Sequence, residues 1–112
     1  MTGMTEFAPV EEFSDYPAFC QPVLKEDNPS LVTWIDGWVV YPTGDFEQDK
    51  KIGYCFADIA IRFAREKQNS GFLYMVLGAI NFKTLNRMII PGGIEYGFFQ
   101  RVSQIAYCGS MN

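Results

Sequence analysis

Apolar residues along this chain keep one spacing after Asp45 and another before it, and the fold reading follows that change. Asp45 comes directly after Gly44 and three residues before Gln48, the arrangement of a capped helix start. Ile52, Cys55, Phe56, Ile59, Ala60, Phe63 and Ala64 then hold a 3.6-residue period as far as Asn69. On the opposite face Asp58, Arg62 and Glu66 recur every fourth residue, which predicts a solvated face of two i, i+4 ion pairs. Gly53 lowers the helix propensity of this segment and is the mark of close packing.

Ser70 predicts the cap of a further helix through Phe72, Met75, Val76, Ala79 and Ile80. Leu73 and Leu77 make that helix apolar on nearly all sides, so it is expected at the centre of the fold. The apolar run from Phe72 to Ile80 is about half of the ~20 residues that a membrane span requires, and it is read as core. Pro91-Gly92-Gly93 breaks the pattern, after which Ile94, Phe98, Val102, Ile105 and Ala106 resume it, with Gly109 as the C-cap.

The segment SLVTWIDGWVVYP, from Ser30 to Pro42, fits two templates. As a helix capped by Ser30, it places Leu31, Trp34, Ile35, Trp38 and Val39 on one stripe. As a hairpin, Asp36-Gly37 forms a type I′ turn that sets Ile35 opposite Trp38 and Trp34 opposite Val39. The helix gives the adopted fold class, mostly α, a small bundle of about four helices with an extended acidic N-terminal arm. The alternative is α+β, a β-hairpin at 31–41 packed on three helices.

Residues 1–29 hold Pro9, Pro17, Pro22 and Pro29 and show no sustained period, which predicts an extended arm before a single compact domain at 30–112. Phe7, Phe13, Tyr16 and Phe19 in that arm require something to pack on, and its own domain is the adopted answer. At 112 residues, 16% of them aromatic, the chain is long enough to bury a core without disulfides or a structural metal. The first ten residues lack the basic and apolar regions of a secretory signal, and either Met1 or Met4 can serve as a start. Cys20, Cys55 and Cys108 are an odd, scattered set, which predicts reduced thiols and a cytoplasmic location.

Charge divides the chain more sharply than its net value of -4 suggests. Residues 1–49 carry Glu6, Glu11, Glu12, Asp15, Glu26, Asp27, Asp36, Asp45, Glu47 and Asp49 against Lys25 alone. Lys50, Lys51, Arg62, Arg65, Lys67, Lys83, Arg87 and Arg101 all follow, against Asp58, Glu66 and Glu95. Direct binding of the second half to nucleic acid is not expected, because the acidic first half would compete for that surface.

The chain holds no histidine, so it cannot supply Ser-His-Asp or Cys-His catalysis or a Cys/His zinc site. Asp45-x-Glu47-x-Asp49 resembles the start of a calcium loop, but the sixth position is Lys50 and the twelfth Phe56, where Gly and Glu are needed. No catalytic residue, metal or cofactor is therefore expected. Gly92-Gly93 lacks the neighbours of a phosphate loop, and Gly93-x-x-x-Gly97 lies in a segment too polar for a membrane helix pair.

What remains is a non-catalytic protein-binding module, an inhibitor or adaptor that docks an acidic, aromatic surface on a basic partner. Its candidate contact residues are Glu11, Glu12, Phe13, Asp15, Tyr16, Glu26, Asp27, Asp45, Glu47 and Asp49. A nucleic-acid-binding or host-defence complex is one such partner, and an inhibitor from a mobile element would suit the size and acidity. Two other readings are a small-molecule or sensory domain, with Trp34, Trp38, Phe56 and Tyr74 lining a pocket, and an acidic half that folds back on the basic half and neutralises it within the monomer or a homodimer. No membrane partner is expected.

Overall fold

The structure, a computed structural model, describes residues 8–108. Glu6, Phe7 and Gly109 lie outside the described residues, as does the side chain of Cys108. The fold is α+β and not a four-helix bundle. In chain order it has β1 (Ala8–Pro9), a 3-10 turn (Val10–Phe13), β2 (Gln21–Lys25), β3 (Asn28–Asp36), α1 (Phe46–Glu66), α2 (Ser70–Leu85) and α3 (Gly93–Cys108). Three helices with antiparallel strand pairing fit the α+β alternative, although the strands pair differently. No helix among the described residues is long and apolar enough to cross a membrane.

The sheet has the order β1-β3-β2, with both pairings antiparallel. The segment expected as an extended arm thus supplies both edge strands, and each carries a proline, Pro9 or Pro22, where a missing N–H is tolerated. Glu26 and Asp27 make the tight turn between β2 and β3, since Lys25 pairs with Asn28. Ile35 therefore faces Pro22, and Trp34 faces Val23.

Asp36-Gly37 does turn the chain, with the Trp38 N–H donating to Asp36 Oδ1 at 3.1 Å. It turns the chain into the core rather than back along β3. Trp38 is 1% exposed, and its ring meets those of Phe98 at 5.0 Å, Phe19 at 5.7 Å and Phe56 at 6.2 Å. Burying an indole among three aromatic rings outweighs closing a lone two-stranded ribbon. The arm's aromatics pack on this same domain, Tyr16 against Phe63 and Phe72 at 4.9 and 5.8 Å, and Phe19 against Phe56 at 4.9 Å.

Helix α1 starts where the sequence predicts, with Asp45 Oδ1 accepting from the N–H groups of Glu47 and Gln48. It ends at Glu66, because Gln68 adopts a left-handed conformation (φ 52°) and the Asn69 and Gln68 N–H groups return to the carbonyls of Ala64 and Arg65. Asn69, not Ser70, caps α2 by accepting from the Gly71 N–H. Helix α2 closes with the same motif around Arg87 (φ 58°), where Met88 returns to Lys83.

Helices α1 and α3 run side by side in the same direction, and glycines set their separation. A methyl group at Gly53 would overlap the Ile94 carbonyl and stand 2.8 Å from the Phe98 nitrogen. One at Gly97 would overlap the Lys50 carbonyl, and one at Gly93 would stand 2.6 Å from that of Phe46. Gly93-x-x-x-Gly97 is thus a helix-packing motif here, although no described helix is long and apolar enough to cross a membrane.

Helix α2 does not occupy the centre. It buries the single stripe Phe72, Val76 and Ile80, and leaves Tyr74, Phe82 and Leu85 exposed. The Cys55 and Ile59 side chains, expected on the buried face of α1, are also exposed, whereas Gly53, Ala57 and Ile61 are buried.

In an ordinary helix interior, glycine to alanine adds about 1 kcal/mol of stability. Gly53→Ala and Gly97→Ala should instead each cost about 3 kcal/mol or more, because backbone on the facing helix must move. Urea unfolding followed by far-UV circular dichroism reads the sign directly.

Candidate functional site

The ten residues expected to bind a partner do not form one surface. Glu11 and Glu12 are exposed on the 3-10 turn, and β1, pairing Pro9 with Leu31, directs that turn toward the end of the hairpin that carries Glu26 and Asp27. Lys25 Nζ is 2.5 Å from Asp27. Phe13 and Tyr16 are half-buried, stacked edge-on at 5.2 Å, and hold the turn to the body instead of reaching outward. Asp15 pairs with Lys67.

Asp45, Glu47 and Asp49 belong to the start of α1 and have local work. Asp45 caps the helix, Glu47 lies 3.3 Å from Lys50, and Asp49 is buried. Asp49 Oδ1 accepts from the Thr43 N–H at 2.9 Å and the Thr43 hydroxyl at 2.7 Å. Those two donors hold its carboxyl below the usual carboxylate range. Glu95 is the second buried acid, accepting from the Trp38 indole N–H and the Gly92 N–H, both at 2.8 Å. The Gly92 N–H that an external anion would need is thereby occupied by the chain's own carboxylate.

Beyond the local Glu47–Lys50 pair, two long-range ion pairs among the described residues join the acidic first half to the basic second half, Asp15 with Lys67 and Asp36 with Lys83 at 2.8 Å. Asp58 pairs across the helices with Arg101 at 2.7 Å rather than with Arg62. Arg101 also donates to the Tyr54 hydroxyl at 3.0 Å, and that hydroxyl donates to Gln104. Asp58 and Arg101 border a cleft of about 460 Å³ lined also by Arg62, Arg65 and Glu66. Its lining carries both signs of charge.

An apolar groove of about 370 Å³ lies between β3 and α2, lined by Trp34, Ile35, Met75, Ala79, Phe82 and Met88 with the Asp36–Lys83 pair. Trp34, Phe82 and Met88 are 56%, 58% and 61% exposed, although nothing in their chemistry requires water. Lys83 Nζ also donates to the Trp38 carbonyl at 2.6 Å, so the groove's one cation is held at its inner wall. The aromatics expected to line a common pocket are dispersed. Trp38 lies in the core, Phe56 borders a different cavity with Phe19 and Ile94, Trp34 lines the groove and Tyr74 is exposed.

The groove was not read from the sequence, because it joins residues more than forty positions apart. A signal was present: α2 has too many apolar residues for one buried stripe.

The thiols separate by environment. Burial, reinforced by the Asp36 carboxylate, pushes the Cys20 thiol up to about 12, whereas Cys55 is exposed on α1. At neutral pH a chromogenic disulfide reagent should modify Cys55 in the native protein and reach Cys20 only on unfolding, as peptide mapping would show.

The sign for Asp49 follows from its direction of shift. A folded-state pKa below the unfolded value of about 3.9 gives stability that is complete above that value and is lost as pH falls through the folded-state pKa. Asp49→Asn should therefore lower the urea midpoint at neutral pH, and its difference from the wild type should shrink below about pH 4. A constant difference would contradict this assignment. The chain matches no protein-family model, no curated protein and no solved structure.

Proposed function

We propose that this chain is a non-catalytic protein-binding module that docks on a basic protein, seating an apolar side chain of the partner in the groove between β3 and α2. The observation that carries this reading is the exposed Trp34, Phe82 and Met88 around a preformed apolar depression. Interface anchors are enriched in tryptophan, and methionine adapts its shape to an incoming group.

Charge supplies the second element. Glu11, Glu12 and Glu26 are exposed, and Glu26 stands at the far end of the same β3 hairpin. From Asn28 to Trp34 the strand covers six residues, about 20 Å. A partner segment with an apolar anchor and a basic cluster that far apart, about 13 residues of helix, matches both features. The acids accelerate and orient the encounter, and the groove provides most of the lifetime.

The test compares cross-linked partners captured from the native cell by wild type, Trp34→Ala and the triple variant Glu11→Lys, Glu12→Lys, Glu26→Lys. A genuine partner is held by the wild type, released at least tenfold faster by Trp34→Ala, and bound more slowly, with less salt dependence, by the triple variant. A partner set that both variants retain unchanged would overturn the proposal.

A further inference from the structure

Helix α2 has a second unpartnered face, adjacent to the groove but distinct from it. Gly71, Tyr74, Gly78, Asn81 and Leu85 follow one another at alternating steps of three and four residues, and all five are exposed. This is the spacing of a helix-pairing seam. Tyr74 is 81% exposed and Leu85 72%.

The face is also without charge. From Ser70 to Leu85 the only ionisable group of Lys, Arg, Asp or Glu type is Lys83, and its ammonium is turned to Asp36 and the Trp38 carbonyl. A basic partner would find nothing there to pair with. An identical uncharged face meets no such mismatch, and interfaces between identical chains are the more apolar kind.

Gly78 gives the face its centre. The helical glycines Gly53, Gly93 and Gly97 each have backbone of another helix within 3 Å of where a methyl group would stand. Gly78 has nothing within 4 Å. It lowers helix propensity by about 1 kcal/mol relative to alanine, with no close approach inside the chain to offset that cost.

We infer that two copies of this chain associate through α2, their helices crossing at Gly78 in a twofold-symmetric pair. Around the crossing, Tyr74 and Leu85 of each copy cover the other's backbone, and Asn81 meets polar groups at the seam. Tyr74 and Leu85 alone expose roughly 300 Å² on this seam, against the ~800 Å² per partner that a standard interface buries, and Gly71, Gly78 and Asn81 add exposed helix surface between them. Trp34 lies across the groove on β3, so this inference stands independently of the partner proposed above.

Sedimentation equilibrium of the full chain across about a hundredfold concentration range tests it. The wild type should approach twice its 12.7 kDa chain mass, with a melting temperature that rises with concentration. Gly78→Arg and Tyr74→Lys, both at exposed positions, should be monomeric with unchanged circular dichroism. Gly78→Ala should weaken association at least tenfold. Trp34→Ala should leave the mass unchanged, which separates failure of this inference from failure of the partner reading. A monomeric wild type, a dimer that survives Gly78→Arg, or a Gly78→Ala variant that is simply more stable at every concentration would each overturn the inference.

Discussion

The close approach of α1 and α3 is the constraint on which the other elements depend. With Gly53 against Ile94 and Phe98, and Gly93 and Gly97 against Phe46 and Lys50, the two helices meet backbone to backbone along their first halves. No side chain fits between them there, so the core must be built beside the seam rather than in it. Trp38 supplies that core. Its ring packs on Phe56 of α1 and Phe98 of α3, and its indole N–H is satisfied by Glu95 in the first turn of α3. The two buried acids follow from the same geometry. The start of α3 is buried, and there Glu95 answers for the Gly92 N–H, while Asp49 in the first turn of α1 holds the Thr43 turn that precedes the exposed Asp45 cap.

Tight pairing of α1 with α3 decides the position of α2. A bundle of helices equally spaced about a shared axis would bury α2 on two sides. Here α2 lies against one side of the pair and the sheet, with Phe72, Val76 and Ile80 buried and Leu73, Met75, Leu77 and Ala79 packed partly buried beside them. Its exposed apolar residues are a surplus that the fold does not consume. They divide into two regions with different surroundings, a groove walled by β3 and a bare helix face around Gly78.

How much of this was legible in the sequence depends on how local each determinant is. The start of α1 was readable because its cap bonds to residues two and three positions on, and the start of α3 because Pro91 and two glycines precede a clear period. The sheet was not, since β1 and β2 contribute two and five residues whose partners in β3 are set by pairing across the chain. Asp36-Gly37 was identified as a turn, but its direction depends on where Trp38 finds cover. Gly53 signals close packing in the sequence and Gly93-x-x-x-Gly97 does not, because the meaning of each lies in the other helix. The ten acidic and aromatic candidates are neighbours in sequence, and the fold separates them: several cap, pair or pack, and Glu11, Glu12 and Glu26 are the exposed acids among them that do none of these.

Charge asymmetry between the halves acquires a different meaning once those roles are known. Asp15–Lys67 ties the turn after β1 to the end of α1, and Asp36–Lys83 ties the end of β3 to α2. Each fastens a strand-bearing segment to a helix, so part of the opposition between halves is consumed in docking the sheet on the helices. Of the acids on the first half that escape this use, Asp45 and Glu47 serve the start of α1, and Glu11, Glu12 and Glu26 stand exposed at the 3-10 turn and the hairpin end. On the reading proposed above, these acids steer a cationic surface to one end of the sheet, where Leu24 is also exposed, and Trp34 with the groove beside it lies further along β3.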